Sequence, residues 1–183
     1  MKITAFGGST SRQSINKKFA THAAERLGDR VAGAEVEVLD LNDFPLPLYS
    51  IDLEHEGGIP DATQAFLDKI EAADALVISL AEHNGSFTAA FKNLIDWCSR
   101  VRRDIFQKKP TVLLSTSPGK GGGASVMAQA SKSFPFFAAE VKATLSVPSF
   151  GTSFNVDAGE LVDPDLAARL GEALATLEPK TDA

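Results

Sequence analysis

Hydroxyl, amide and guanidinium side chains crowd a short stretch near the start of the chain, residues 7–16, whose sequence is GGSTSRQSIN. Its two glycines permit a tight turn, its serines and threonine offer hydroxyl donors, and Arg12 adds a charged fork beside a predicted helix. Ser14 alone would serve as an ordinary helix N-cap, but five hydroxyl or guanidinium donors exceed what one cap needs. The stretch therefore predicts a loop that binds a phosphate group.

Two more loops carry similar residues, AEHNGSF at 81–87 and STSPGKGGG at 115–123. The glycines of the later loop would let the backbone approach a flat ligand, or would simply make the loop flexible. Neither the GxxxxGK spacing of a Walker loop nor a GxGxxG dinucleotide fingerprint is present, which argues against a kinase or a Rossmann dehydrogenase. The loops hold no Ser-His-Asp or Cys-His set, and His22, His55 and His83 are too scattered to assign as metal ligands. We therefore expect no metal site and no catalytic side-chain nucleophile.

Short apolar runs that alternate with amphipathic stretches must position these loops. Predicted strands cover residues 2–6, 35–39, 75–80, 111–115 and 144–147, and predicted helices cover 14–27, 61–72, 88–103, 125–140 and 164–177. This alternation favours an α/β fold, a doubly wound five-stranded parallel sheet with helices on both faces. In the strand order 2-1-3-4-5 the first, third and fourth strands are neighbours, so the three loops are predicted to meet at one edge. Residues 42–60 are predicted to be a connection that packs over the sheet rather than a linker between domains.

Length and composition limit the possible partners. A chain of 183 residues with 44% hydrophobic and 23% charged residues predicts one globular domain, residues 1–183. The net charge of −6 disfavours nucleic acid and anionic lipid as partners. The apolar run at the N-terminus is cut by glycines, which argues against a signal peptide or a membrane span. With one cysteine and no internal disulfide, the chain is expected in the reducing cytoplasm.

Four side chains outside the first loop allow individual predictions. Cys98 lies on the apolar stripe of the third predicted helix and is expected to be buried and inert. Trp97 lies off that stripe and is expected to be exposed at an interface. His22 is expected to be a partly solvated surface residue. For Glu82 two interpretations remain open, since its carboxylate could tune a nearby ligand or cap a neighbouring turn.

Taken together, the motifs resemble the NADPH-dependent FMN reductases of the flavodoxin-like superfamily, over nearly the whole chain. GSTSRQSIN is similar to the GSxRxxSxN loop of that family, and EHNGSFTAAFKNLIDWCSR is similar to its PEYNxSxPGxLKNAIDWxSR segment. SPGKGGG resembles its third flavin-contacting loop, and SFNVDAGELVDPDLAARL resembles its C-terminal segment. Ala81 and His83 depart from the Pro and Tyr that the family most often shows.

The resemblance implies an enzyme that passes electrons from NADPH or NADH through bound FMN to a small acceptor. A ping-pong route is expected, because reductant and acceptor must use the same exposed flavin face in turn. The FMN phosphate would be held by Ser9, Arg12, Ser14 and Asn16. The isoalloxazine would lie along Glu82, His83, Asn84 and Gly85, and the site would be closed by Ser117, Gly119 and Gly122. The resemblance also implies a homodimer, often within a tetramer.

The sequence leaves open both the electron acceptor and the class of protein. The acceptor could be a quinone, free flavin, an azo compound or a metal oxyanion. A non-enzymatic electron carrier of flavodoxin type is the main alternative, although flavodoxins resemble SxTGNT in the first loop and this chain has an arginine-bearing loop instead. A second alternative is a flavin-free structural or sensing protein on the same fold.

Overall fold

A computed structural model describes residues 1–179 and shows a central sheet of five parallel strands. The strands are β1 (Lys2–Gly7), β2 (Glu35–Leu39), β3 (Ala75–Leu80), β6 (Pro110–Thr116) and β7 (Glu140–Val147). Their order is β2-β1-β3-β6-β7. Counted without the short strands β4 (Glu82–His83) and β5 (Ser86–Phe87), this is the predicted order 2-1-3-4-5, so the predicted fold class is confirmed.

Helices cover both faces of the sheet and enclose two hydrophobic cores. On one face lie α1 (Ile15–Gly28) and α7 (Pro164–Ala175), which bury residues such as Phe19 and Leu170. On the other lie α3 (Asp61–Glu71), α4 (Ala89–Val101) and α5 (Ala124–Ser133). Because both faces of β1, β3 and β6 are covered, these strands are buried along nearly their whole length.

Two boundaries differ from the prediction. The helix predicted over residues 125–140 ends at Ser133, because Pro135 cannot continue a helix and opens the short 3-10 turn Pro135–Phe137. Strand β7 then starts at Glu140, earlier than predicted. The predicted connection over residues 42–60 contains a helix that was not predicted, α2 (Ile51–Gly57), whose N-cap Ser50 accepts a hydrogen bond from Leu53 N–H.

The prediction that Trp97 is exposed is wrong. The residue is only 1% exposed, because the connection between β2 and α2 folds across it. Its indole Nε1 donates to the Pro47 carbonyl at 2.8 Å, and the ring of Tyr49 meets it edge-on at a centroid distance of 5.1 Å. Cys98, next to it, is buried as predicted, and burial raises its thiol pKa to about 12.

Two small hairpins complete the architecture. One joins β4 (Glu82–His83) to β5 (Ser86–Phe87) directly after β3. The other joins β8 (Phe154–Asn155) to β9 (Glu160–Leu161), after the short helix α6 (Phe150–Ser153). Within residues 1–179, no helix is both long enough and apolar enough to cross a membrane.

Candidate functional site

Asn16 links the turn after β1 to strands β3 and β6 at the carboxyl edge of the sheet. Its side chain is buried in the first turn of α1, where Oδ1 accepts from Ser79 Oγ at 2.8 Å and from Thr116 N–H at 3.0 Å. Its Nδ2 donates to the Thr116 carbonyl at 3.1 Å. Ser79 lies in β3 and Thr116 ends β6, so one amide ties the turn after β1 to the two neighbouring strands.

The turn after β1 is held from both sides. Gly8 N–H donates to the Ser79 carbonyl at 2.8 Å, and the Gly8 carbonyl accepts from the Thr88 hydroxyl at 2.8 Å. At Gly7 a Cβ would lie only 2.5 Å from the backbone nitrogen of Lys17, so the close approach of the turn to α1 requires glycine. The first loop therefore has a fixed backbone.

The start of α1 offers a set of hydrogen-bond donors. Ser14 is its N-cap, as predicted, and the Ser14 hydroxyl accepts from Lys17 N–H at 3.1 Å. The N–H groups of Ile15 and Asn16 have no acceptor within residues 1–179. Ser9 Oγ accepts from Ser11 N–H at 3.1 Å, and its own hydroxyl hydrogen is left to donate. Two amides, the nearby hydroxyls and the positive end of the helix dipole make this position suited to an anion.

The three predicted loops meet in one cleft of about 250 Å³ at the carboxyl edge of the sheet. The first loop and the start of α1 supply six residues, the loop after β3 supplies three and the loop after β6 supplies three. The lining residues are Ser9, Ser11, Gln13, Ser14, Ile15, Asn16, Ala81, Glu82, His83, Thr116, Ser117 and Pro118. Six of the predicted site residues are thus brought together: Ser9, Ser14, Asn16, Glu82, His83 and Ser117.

Arg12 lies outside this set. Its side chain is exposed and lines a neighbouring cleft, which touches the first at Ser14. The guanidinium makes no hydrogen bond or ion pair within residues 1–179. The Arg12 guanidinium, at the edge of the first loop, is therefore available to bind an anion.

The hairpin after β3 presents His83 and turns at Asn84 and Gly85. These two residues have φ angles of 52° and 77°, the pair of positive values that a two-residue type I′ turn requires. His83, Asn84 and Gly85 are all exposed, and the two turn residues do not line the cleft.

Glu82 contacts a distant helix, α5, rather than a neighbouring turn. Its Oε2 accepts a hydrogen bond from Val126 N–H at 2.9 Å, in the first turn of α5. The carboxylate therefore caps a helix N-terminus that lies 44 residues further along the chain. In doing so it ties the hairpin to the glycine-rich loop that precedes α5.

In the glycine-rich loop, Gly119 and Gly122 both make contacts with the segment at the end of β7. Gly122 is buried, and a Cβ there would lie 2.9 Å from Pro148 N, so glycine is needed for packing against the end of β7. Gly119 is exposed, and its carbonyl accepts from Ser149 N–H at 2.9 Å and from Ser117 Oγ at 3.2 Å. The loop is thus ordered by its own backbone and by residues after β7.

Small polar residues end the buried strands β3 and β6, and their side-chain contacts were not predicted from the sequence. Ser79, Ser115 and Thr116 are at most 1% exposed, and all three bond to loop residues or neighbouring strands. Hydroxyl residues at the end of an otherwise apolar strand were the available signal. Among residues 1–179, no three His, Cys, Asp or Glu side chains come together as a metal site.

The strand order and the cluster of polar loops at the switch point between β1 and β3 define a flavodoxin-like α/β protein. A flavodoxin variant from Pseudomonas aeruginosa matches 97% of the chain with a TM-score of 0.55 at 19% identity, covering 99% of that protein. Residues 1–152 match the family model described as NADPH-dependent FMN reductase. The chain belongs to this family.

Two relatives show the range of the similarity. An NAD(P)H:quinone oxidoreductase of Solanum tuberosum is 36% identical over 125 residues, which are 68% of this chain and 63% of that protein. That match therefore spans less than two thirds of the relative's length. FerB, a flavoenzyme NAD(P)H:(acceptor) oxidoreductase from Paracoccus denitrificans, superimposes with a TM-score of 0.76 at 25% identity, covering 96% of this chain and 94% of FerB.

The donor set of the cleft fits the phosphate end of FMN. A phosphomonoester needs several donors and no competing carboxylate, and the start of α1 offers two free N–H groups beside the hydroxyls of Ser9 and Ser14. The carboxylate of Glu82 also lines the cleft, but its Oε2 is bound to α5. The residues present are therefore compatible with the cofactor that the family name implies.

Proposed function

We propose that the protein is an FMN-dependent NAD(P)H oxidoreductase that passes electrons to a small acceptor. The observation that carries the proposal is the convergence of three loops on one cleft beside the donor-rich start of α1, in a chain that belongs to the FMN reductase family. When bound, FMN supplies the hydride and electron transfer chemistry. The side chains need only bind and orient the reactants, which agrees with the lack of a nucleophile set in the loops.

The first loop binds the phosphate in this proposal. Ser9 and Ser14 donate through their hydroxyls, Ile15 and Asn16 through their backbone N–H groups, and Arg12 closes over the anion from the rim. The side chain of Asn16 has a different task from the one that the resemblance implied. Because its amide is bound to Ser79 and Thr116, it positions the loop, while its backbone N–H faces the anion.

The other two loops orient the ring in this proposal. The exposed hairpin at His83, Asn84 and Gly85 offers backbone groups along one side, and Ser117 and Gly119 lie on the other. Glu82 positions the hairpin through α5. Gly122 supports the loop through its contact with β7.

We propose a ping-pong order for the reaction. Nicotinamide and acceptor would use the same exposed face of the bound flavin in turn. The acceptor classes considered are a quinone, free flavin, an azo compound and a metal oxyanion. The name of the Solanum tuberosum relative supports a quinone as acceptor, and the name of FerB supports a broader range of acceptors.

A homodimer, alone or within a tetramer, is proposed around α2 and the end of α4. Leu48, Ile51, Leu53 and Val101 are between 39% and 78% exposed, which is unusual for large apolar side chains. Arg100 holds the segment to α4 through an ion pair with Glu54 at 2.8 Å, so the apolar side chains are presented on an ordered surface. A second copy of the chain is the partner that this proposal assigns to them.

We also propose that residues 1–183 form one FMN-binding domain in the cytoplasm, although residues 180–183 lie outside the described part. The two cores share one sheet, which supports a single unit. The one cysteine is buried, which suits a reducing compartment.

The purified protein tests this proposal by its colour. We expect visible flavin absorbance that bleaches when NADPH is added without oxygen and without a partner protein, and parallel double-reciprocal lines in steady-state kinetics. Flavin that bleaches only when a separate reductase is present would favour the flavodoxin-type carrier. A colourless protein that does not take up added FMN would contradict both readings.

A further inference from the structure

The β4–β5 hairpin is too small to hold its own position. Only two residue pairs join its strands, and the chain turns between them at Asn84 and Gly85. An isolated two-stranded hairpin is at best marginally stable in water. The direction of its exposed tip, residues 83–85, must therefore be set by contacts with neighbouring elements.

Packing holds the base of this hairpin. The ring of Phe87 meets Phe91 of α4 edge-on at a centroid distance of 5.5 Å and lies 6.4 Å from the ring of Phe134, just after α5. The hydrophobic burial that drives such packing is not directional. It keeps the hairpin against the protein without fixing where the tip points.

Two hydrogen bonds to α5 supply the direction, one from each strand of the hairpin. On β4, Glu82 Oε2 accepts from Val126 N–H at 2.9 Å. On β5, Ser86 Oγ donates to Gln129 Oε1 at 2.9 Å. Val126 and Gln129 are three residues apart, so they are neighbours on one face of the helix. The hairpin is therefore bound to α5 at two successive points.

The side chain of Gln129 lies outside the flavin-type cleft. It is exposed and does not line that cleft. Within residues 1–179 its amide group makes one hydrogen bond, the one to Ser86. Changing Gln129 therefore alters how the hairpin is held without altering the lining of the cleft or the core.

The same helix adjoins the glycine-rich loop. α5 begins directly after Gly123, and the carbonyl of the preceding Gly122 accepts from the buried Ser115 hydroxyl at 2.8 Å. The hairpin and the glycine-rich loop are the two segments to which the proposed function assigns the flavin ring. α5 thus connects the two sides of the ring site.

We propose that Gln129 is a positioning residue for the flavin ring. Through Ser86 it holds the tip of the hairpin in the direction that binds the ring, while the first loop binds the phosphate independently. Without this bond the tip samples other directions, and the apparent affinity falls with the fraction of molecules that are competent to bind. The inference rests on the proposed function, because it concerns the same flavin site.

Three substitutions separate the hydrogen bond from the volume of the side chain. Gln129→Met keeps a similar volume and removes the acceptor, whereas Gln129→Glu keeps an oxygen acceptor for Ser86. Gln64→Met is the matched control, because Gln64 is an exposed glutamine on α3 whose side chain bonds to Asp68 of its own helix.

Fluorescence titrations with oxidised FMN and riboflavin measure the effect. Gln129→Met should bind both flavins about twofold to tenfold more weakly than the wild type, as expected for the loss of one neutral hydrogen bond. The ratio of the two affinities should stay constant, because the phosphate contacts are intact. Gln129→Glu and Gln64→Met should bind both flavins as the wild type does.

Two further readouts distinguish positioning of the ring from a general loss of stability. The visible absorbance band of the bound flavin depends on the surroundings of the ring, so it should shift in Gln129→Met and return to its wild-type position in Gln129→Glu. Ser86→Ala should weaken flavin binding as much as Gln129→Met does. The double variant should lose nothing more, because both substitutions remove the same bond.

Wild-type affinity and absorbance in Gln129→Met would overturn the inference, and so would additive losses in the double variant. An equal loss in Gln129→Glu would overturn it as well, since the acceptor for Ser86 is then present. A loss of affinity for FMN but not for riboflavin would place the effect at the phosphate and contradict it. These failures leave the proposed function standing, whereas a wild type that binds neither flavin would defeat the proposed function and this inference with it.

Discussion

Asn16 and Thr116, one hundred residues apart, are joined by a reciprocal pair of hydrogen bonds in which each residue donates one and accepts one. Thr116 N–H donates to Asn16 Oδ1 at 3.0 Å, and Asn16 Nδ2 donates to the Thr116 carbonyl at 3.1 Å. The side-chain amide thus pairs with the end of β6 as a neighbouring strand would. Two of the three site loops are fixed relative to each other by this contact.

Replacing Asn16 should destabilise the protein as well as the site. Asn16→Ala leaves the buried Ser79 hydroxyl and the Thr116 peptide groups without partners, so we expect the free energy of unfolding in urea to fall by about 3 kcal/mol. Asn155→Ala is the matched control, because Asn155 is exposed and bonds only to its own turn. A similar small loss in both variants would show that the reciprocal pair contributes little.

The carboxylate of Glu82 should stabilise the N-terminus of α5. In Glu82→Ala the Val126 N–H loses its acceptor, and we expect its amide hydrogen to exchange faster and the unfolding free energy to drop by about 1 kcal/mol. Glu82→Gln keeps an oxygen acceptor and should recover most of the protection at Val126. Unchanged exchange at Val126 in the alanine variant would argue against the cap.

His22 should make stability depend on pH in a defined window. Its pKa is lowered in the folded state by burial, the largest cause, and by Arg26, while a hydrogen bond with the Gly159 backbone and the charges of Glu25 and Glu160 act in the opposite direction. The unfolded chain therefore takes up a proton near pH 6.5 that the folded protein resists, so stability is lost as pH falls below that value.

Urea unfolding between pH 7.5 and about 5 measures this effect. The free energy of unfolding should fall more steeply in the wild type than in His22→Gln, which cannot titrate. Identical slopes for the two proteins would mean that the folded state does not resist protonation of His22.

The sheet and the meeting of the loops could be predicted because they depend on local patterns and one topological rule. Apolar runs such as ALVISL mark strands that are covered on both faces, and the order of parallel strands places their following loops together. The contacts that arrange the loops depend on residues far apart in the chain. Nothing near Glu82 in the sequence indicates that it caps α5, and nothing near Trp97 indicates that Pro47 covers it.

The same dependence on residues far apart in the chain explains why the predicted roles of Asn16 and Gly122 changed. Asn16 resembles a phosphate ligand by its place in the loop, but only the folded chain brings Ser79 and Thr116 to its amide. Gly122 resembles a glycine that admits a flat ligand, but the backbone that approaches it belongs to residues 147 and 148. In both cases the sequence shows which residue is present, but it does not show which distant residues contact it.

The central claim, that the loop at the start of α1 binds the phosphate of FMN, is tested most directly by comparing FMN with riboflavin in fluorescence titrations. We predict that the wild type binds FMN more tightly than riboflavin. Arg12→Ala should lower only the FMN affinity, by about tenfold to a hundredfold, as expected for the loss of one charged hydrogen bond. Arg103→Ala, at an exposed arginine over Phe136, should change neither affinity. Equal binding of FMN and riboflavin by the wild type would contradict the claim.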